Sequence, residues 1–300
     1  MNLTPLYDAF KNISKELRDN DIIGLGTDTT TKNTSNDVQK NIDILSNNAL
    51  KKASFKIPEI IGIVSEEDKE LSLKNSNVGS GYVLIFDPLD GSKNVFSNIT
   101  VGTIYGIYEY DKETDKILSI YETGYALYGP STILVRTVNN NCVEQYYLNP
   151  ENKFIFTNKL VLNKENNICS INMSYNFDED AHKLVKHLIK EGATQRWCGA
   201  MVADAHQVLM RGGTFIYPRN DNNPNGKIRL LYEAIPFAHI FEVLGGCAVD
   251  MNNRDILPKL PYIRLQKSNM IHNEISIFLS TSHTTSELND ILEINDIIKC

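Results

Sequence analysis

The chain has 300 residues, with 30 basic and 37 acidic side chains for a net charge of −7, and 42% of its residues are hydrophobic. That length sets an expectation of one large or two medium domains at roughly 150 residues each, and the composition excludes collagen, disulfide-stapled miniproteins and disordered tails. Without any Lys/Arg-rich run, the acidic balance also excludes a nucleic-acid coat, because phosphate contacts need a concentrated basic face.

Leu3, Leu6, Tyr7, Phe10, Ile13 and Leu17 recur at helical spacing and predict a first helix with one apolar face. From Gly26 to Asn36 the chain is rich in Thr and Asn, which predicts an exposed loop. A second helix is expected over about 37–53, with Val38, Ile42, Leu45 and Ala49 on one face and Asp37 able to serve as its N-cap. Residues 60–64 and 82–86 read as buried strands, and each ends in carboxylates, Glu66-Glu67 and Asp87. Residues 102–108, 118–127, 132–138 and 153–157 continue as strands of one extended sheet, with the asparagine-rich pieces 139–141 and 149–152 at its hairpin ends or loops. Beyond residue 170, helices over 178–191, 200–210, 231–244 and 286–298 alternate with strands over 214–217 and 275–280, which favours an α/β layer. The domain boundary is therefore expected near residue 170, giving an N-terminal α+β half, 1–170, and a C-terminal α/β half, 171–300.

Five scattered cysteines, Cys142, Cys169, Cys198, Cys247 and Cys300, contain no C-x-x-C pair. They predict reduced thiols in a cytoplasmic setting and argue against zinc. No apolar run approaches the ~20 residues needed to cross a bilayer, so no membrane partner is expected. The first residues lack a signal-peptide pattern, and Cys300 stands last, outside any prenylation motif.

The most informative stretch is Asp87-Pro88-Leu89-Asp90-Gly91-Ser92. Pro88 keeps Asp87 extended, so the strand should end there in a sharp turn that lets Asp87 and Asp90 converge. Two oxygen ligands on one rigid turn suit a hard cation such as Mg²⁺. Gly91 and Ser92 can bring N–H groups and a hydroxyl against an anion. A plain type I turn uses the same residues; the Glu66-Glu67 pair beside it weighs toward a metal site, because like charges gather where a cation offsets them.

Val64-Ser65-Glu66-Glu67-Asp68, Phe86-Asp87-Pro88-Leu89-Asp90-Gly91-Ser92 and Gly102-Thr103-Ile104-Tyr105-Gly106-Ile107-Tyr108 are followed by Met201-Val202-Ala203-Asp204-Ala205-His206, Gly213-Thr214-Phe215-Ile216-Tyr217-Pro218 and Gly226-Lys227-Ile228-Arg229-Leu230-Leu231-Tyr232-Glu233. In this order they resemble the consecutive signatures of class I fructose-1,6-bisphosphatases over about residues 3–281. The wider inositol-monophosphatase superfamily shares the D-P-x-D-G core without the later blocks. The resemblance implies an α/β (α+β) layered sandwich of the sugar-phosphatase type, with two mixed sheets between helix layers. It implies Mg²⁺, two or three ions, with Mn²⁺ as a substitute, on Glu66, Glu67, Asp87, Asp90, Glu233 and the Leu89 carbonyl. Asp43, paired with Glu67, would orient and deprotonate water; Asp37 lies in the matching mobile loop, where a helix-cap role is an equal alternative. Gly91, Ser92 and Arg229 would hold the cleaved phosphate. Asn172, Tyr175, Tyr217 and Lys227 would hold the distal phosphate and sugar, with Arg196 reaching that site from a neighbouring subunit of a homotetramer or dimer.

The implied reaction is hydrolysis of the 1-phosphate of fructose 1,6-bisphosphate to fructose 6-phosphate and phosphate, and bound cations would reverse the field that an anionic substrate meets. Where the family carries basic residues for AMP, this chain has Gly81 and Glu109, and it starts inside the helix that follows the family's AMP loop, so weak or absent AMP inhibition is expected. Trp197 stands where a tyrosine is usual, Met173-Ser174 replace Glu-Gly, and Lys93 replaces a serine. These departures leave a sedoheptulose-1,7-bisphosphatase or dual-specificity enzyme as the first alternative, and a non-catalytic sugar-phosphate-binding paralogue as the second.

Overall fold

In the computed structural model, which describes residues 1–32, 38–75, 79–172, 177–250 and 254–292, eight strands form one mixed sheet. Its order is Phe154–Lys159, Cys142–Leu148, Thr132–Val138, Lys116–Tyr128, Val101–Asp111, Gly81–Asp90, Ile60–Ser65 and Ser72–Leu73. From Gly81 onward it is an antiparallel meander, whereas Ile60–Ser65 runs parallel to Gly81–Asp90. Successive side chains of a strand point to opposite faces, and this sorts the core. Leu84 and Phe86 pack with Tyr105 and Ile107 against Leu6, Phe10 and Ile13 of the helix Thr4–Asp19 and Ile42 and Leu50 of the helix Asn41–Ser54. Val83 and Ile85 face the other way, onto Val202 and Val208 of the helix Met201–Arg211 and Phe237 and Phe241 of the helix Ile235–Val243.

That second helix pair is covered in turn by a five-stranded sheet, ordered Thr194–Gln195, Ile168–Ile171, Gly213–Tyr217, Ile277–Ser280 and Cys247–Val249. Phe215, Ile277 and Leu279 join the shared core. Ile216 and Phe278, one residue out of phase, meet Leu184 and Leu188 of the helix Glu179–Lys190 and Leu288 of the helix Thr285–Leu292. The layers therefore alternate helix, sheet, helix, sheet, helix, which is the expected architecture of two mixed sheets between helix layers. Among the described residues no helix is long and apolar enough to cross a membrane.

Several local expectations are corrected. Part of the Thr-rich segment is a strand, Asp28–Lys32, antiparallel to Val38–Lys40; its β-branched threonines favour extended backbone, and Thr29 Oγ1 donates to the Gln39 carbonyl at 2.9 Å. The second helix consequently starts at Asn41 with Lys40 as N-cap, whose N–H donates to Asp43 Oδ2 at 2.7 Å. Asp37 is therefore not its cap, and its own placement lies outside the described residues. The strand expected to end at Phe86 continues to Asp90, with an irregular register between Asp87 and Asp90 in place of a turn. Strands Cys142–Leu148 and Ile168–Ile171 were not foreseen. The first buries only Val143 fully and so lacks a clear alternation; the second is short and continuously buried.

His239, in the middle helix layer, is 6% exposed with Nδ1 2.8 Å from the Thr123 hydroxyl. Burial pushes its pKa down from 6.5 to about 4. The unfolded chain then binds the extra proton, so this group's stabilisation is complete above about pH 6.5 and is lost as pH falls toward 4, by on the order of 3 kcal/mol. His239→Asn should flatten the fall in urea stability between about pH 6.5 and 4.5. An unchanged slope would show that the acid sensitivity lies elsewhere.

Candidate active site

Because Ile60–Ser65 and Gly81–Asp90 are parallel, they release Glu66-Glu67 and Asp87 at the same sheet end, and the Glu66 N–H donates to the Phe86 carbonyl at 3.1 Å. The Asp87–Asp90 segment is pinned from within. Leu89 N–H donates to Asp87 Oδ1 at 2.9 Å, and the buried Thr103 hydroxyl donates to the Pro88 carbonyl at 2.8 Å. Asp90 Oδ2 accepts the Val202 N–H at 2.6 Å, at the start of the helix Met201–Arg211, where the helix dipole favours an anion. Gly91 then takes φ 78°, and a Cβ there would stand 2.4 Å from Ala200 Cβ. Only glycine satisfies both conditions. Ser92–Asn94 completes one 3₁₀ turn, and Asn94 Nδ2 holds the Cys198 carbonyl at 2.9 Å.

Glu233 is carried on a π-helical turn, Leu230–Ala234, that packs against the strand Gly81–Asp90 and precedes the helix Ile235–Val243; such turns recur at functional sites. One carboxylate oxygen each of Asp87, Asp90 and Glu233 lies within 4.8 Å of the others, although Asp87 is only 2% and Glu233 9% exposed. Burial first, and then repulsion, led by Glu66 for Asp87 and by Asp90 for Glu233, raises the pKa of both well above the carboxylate range. Asp90 is pushed up to about 7 by burial, against the opposing pull of the Val202 N–H. Glu67, which accepts a hydrogen bond from Gln39 Nε2, is raised to about 8 by burial and by Glu66. Asp43 is raised to about 6 by burial, partly countered by the Lys40 N–H and the Ser92 hydroxyl. Among the described residues the Arg229 guanidinium, whose charge opposes the upward shift of Glu233, is also 2.8 Å from Glu274 and donates to the His272 carbonyl at 3.0 Å. An all-oxygen, electrically unbalanced donor set of this kind fits a hard divalent cation.

These carboxylates line a cavity of about 340 Å³ together with Asn172, Trp197, Phe215, Tyr217, Lys227 and Lys93. Trp197 lies parallel over Phe215 with ring centres 6.3 Å apart and tilts against Tyr217 at 6.0 Å. Tyr217 is hydrogen-bonded to Asn172; burial raises its pKa, and Lys93 is close enough to oppose that shift.

The sequence model of the fructose-1-6-bisphosphatase N-terminal domain matches residues 1–159, and that of its C-terminal domain matches residues 162–288. The chain belongs to the class I fructose-1,6-bisphosphatase family. Members of this family are phosphatases that hydrolyse fructose 1,6-bisphosphate and depend on divalent metal. The chain is 35% identical over 286 residues to the cytosolic fructose-1,6-bisphosphatase of Brassica napus, covering 89% of this chain and 80% of the relative. It is 32% identical over 265 residues to the class 1 enzyme of Campylobacter hominis, covering 88% and 90% respectively. The crystal structure of Leishmania major fructose-1,6-bisphosphatase in holo form superposes with a TM-score of 0.82 at 30% identity, over 96% of this chain and 91% of that one.

Of the residues singled out in the sequence, Asp43, Glu66, Glu67, Asp87, Leu89, Asp90, Gly91, Ser92, Asn172, Tyr217, Lys227 and Glu233 all line this single cavity. Arg196 and Arg229 are not among its described lining residues; Arg196 is exposed. Asp37 and Tyr175 lie outside the described residues. Sequence reasoning missed Gln39, whose amide holds Glu67, and Asp204, which accepts the Cys198 and Gly199 N–H groups at 3.0 Å each and so fixes the loop behind Gly91. Asp204 carried a signal, an acidic residue inside the otherwise apolar Met201-Val202-Ala203-Asp204-Ala205; Gln39 carried none.

Gly91→Ala should shift the Gly91-Ser92 turn off the 198–200 loop. A displacement of ~1 Å at such a position costs about 10²-fold in kcat/KM. Steady-state phosphate release measures this, and a loss below about threefold would show that the turn tolerates the methyl group.

Proposed function

We propose that this chain is a Mg²⁺-dependent fructose-1,6-bisphosphate 1-phosphatase. The observation that carries this reading is one cavity lined by an oxygen-only set of carboxylates, the Gly91-Ser92 turn, and Lys227, Tyr217 and Asn172. A substrate with two phosphates then has a place for each. Glu66, Glu67, Asp87, Asp90, Glu233 and the Leu89 carbonyl would hold two or three Mg²⁺ ions, or Mn²⁺ in their stead. When bound, these cations would neutralise the phosphoryl oxygens and polarise the attacking water and the leaving oxygen.

The chain's own groups would do the rest. Gly91, Ser92 and Arg229 would orient the 1-phosphate. Asp43 and Glu67 would align the water, and Asp43, with its pKa near 6, is suited to take the water's proton close to neutrality. Water would add to phosphorus as the phosphorus–O1 bond breaks, one water proton passing to Asp43, and O1 would take a proton from solvent to leave as the hydroxyl of fructose 6-phosphate. Lys227, Asn172, Tyr175 and Tyr217 would hold the 6-phosphate and sugar, and Asp37 would close with its loop. Asp37 would act there rather than as a helix cap, since Lys40 occupies the cap position.

We further infer a domain division at residues 1–170 and 171–300, with Glu233 as the contribution of the second half to the metal wall. The exposed Arg196 off its own cavity supports a homo-oligomer, a tetramer or dimer, in which it serves a neighbour's site. Free Cys142, Cys169, Cys198 and Cys247 support a cytoplasmic setting. Gly81 and Glu109 support weak AMP inhibition; strong inhibition by micromolar AMP would overturn that part.

Trp197 on the sugar wall keeps a seven-carbon substrate as the second reading. Phosphate release from fructose 1,6-bisphosphate, sedoheptulose 1,7-bisphosphate and inositol phosphates, with and without Mg²⁺, tests both. A strong preference for the seven-carbon sugar favours the second reading, and binding without turnover favours the sugar-phosphate-binding paralogue.

A further inference from the structure

We propose that His187, Glu191 and His283 form a separate metal site, for a borderline cation of the Zn²⁺ class, in the outer helix layer. A donor nitrogen of each histidine and a carboxylate oxygen of Glu191 lie within 4.8 Å of one another. His187 and Glu191 are one turn apart at the end of the helix Glu179–Lys190, with Nε2 3.1 Å from Oε1. His283, 92 residues beyond Glu191, enters from the segment after the strand Ile277–Ser280 and sets Nε2 3.0 Å from Oε2. Ligands held ~2.0–2.1 Å from a tetrahedral ion sit roughly 3.4 Å from one another, so the two His–Glu separations already approach a coordination edge.

The ligands are held from behind. The Ser282 hydroxyl is 3.0 Å from His283 Nδ1, which fixes the ring and leaves Nε2 for the cation, and Asn166 Nδ2 donates to Glu191 Oε2 at 3.2 Å. Outer partners of this kind orient metal-binding histidines and carboxylates. The His283 side chain is 8% exposed, while those of His187 and Glu191 are 38% and 41% exposed. One ligand is thus anchored and two face solvent, from which water can complete the coordination. Lys164, on the same cavity wall, turns its ammonium to the Gly245 carbonyl at 2.7 Å, and Glu287 and Asp290 add negative charge to that wall.

Two imidazoles and a carboxylate select Zn²⁺, Co²⁺ or Ni²⁺ over Mg²⁺, which takes oxygen ligands. This site is therefore chemically distinct from the carboxylate cavity, with which it shares no lining residue. The scattered cysteines gave no hint of zinc, because the site uses none of them. Bound there, the cation would bridge the helix Glu179–Lys190 to the chain entering the helix Thr285–Leu292 and stiffen the outermost layer.

The test titrates the full chain with Zn²⁺, and separately with Co²⁺, in excess Mg²⁺ that fills the carboxylate cavity. The expected result is one equivalent of Zn²⁺ at micromolar affinity or tighter, a rise in Tm, and a Co²⁺ visible spectrum of a four- or five-coordinate nitrogen–oxygen site. Affinity should fall at least about tenfold in His283→Ala and in His187→Ala, with Mg²⁺-dependent phosphatase activity in zinc-free buffer within about twofold of wild type. His187 is half-exposed, so its variant carries the test if His283→Ala fails to fold. A wild type that takes up no Zn²⁺ under these conditions, or variants that bind it as tightly, overturns the proposal.

Discussion

Asp87→Asn is expected to lower kcat by at least about 10³-fold, a loss of on the order of 4 kcal/mol of transition-state stabilisation, while raising the Tm of the metal-free protein. The two effects have one cause. Burial first, and then repulsion from Glu66, Asp90 and Glu233, pushes the pKa of Asp87 far upward, so removing its carboxylate relieves the folded chain of a cost that a bound cation would otherwise offset. Each kcal/mol regained corresponds to roughly 2–4 °C in a chain of this size. Calorimetry after chelation, alongside phosphate release, measures both quantities. A kcat within about tenfold of wild type, or a metal-free variant less stable than the metal-free wild type, would remove Asp87 from the metal wall.

Chelation of the wild type should abolish turnover and make stability fall as pH rises. Asp90 and Glu67 have folded-state values of about 7 and about 8, and Asp87 and Glu233 lie well above the carboxylate range. Every one of these is raised above its unfolded value near 4. The folded chain therefore holds protons that the unfolded chain releases, and this stabilisation, complete below about pH 4, is lost as pH climbs through about 7 to 8. His239 acts in the opposite sense below about pH 6.5. Metal-free protein should consequently be most stable in mildly acidic buffer. Excess Mg²⁺ at a hundred times its Kd should restore about 2.7 kcal/mol near pH 8 and little near pH 5. Thermal melts across this range with and without chelator measure the crossing; a Mg²⁺ stabilisation independent of pH would mean that the carboxylates are ionised without metal.

Much of the carboxylate wall was legible because its residues are close in sequence. Glu66 and Glu67 follow one strand and Asp87 and Asp90 close another; both strands are legible from their burial-type composition, and parallel pairing brings the two ends together. Glu233 became legible only through resemblance, since no local pattern links a residue on a π-helical turn to a strand end about 145 positions earlier in the chain. The phosphate motif was read as a turn, although hydrogen bonding carries the strand through Asp90; Asp-Pro and Asp-Gly bias a reader toward turns, and the Thr103 and Val202 contacts that override this bias are long-range. The Arg229–Glu274 ion pair joins residues 45 positions apart in the chain, and such pairing leaves no trace in spacing.

The π-helical turn at Leu230–Ala234 has a consequence for how the chain can change length. An α-helix advances about 100° per residue, so deleting one residue from this turn would let it relax into the register of Ile235–Val243 and swing the Glu233 carboxylate by roughly that angle away from Asp87 and Asp90. Loss or gain of a single codon there would disarm the cavity while leaving the core sequence intact. The hairpin at Asn139-Asn140-Asn141, on the surface far along the large sheet, carries no such constraint. Natural and engineered variation in length should collect at that hairpin and be absent from the five residues around Glu233.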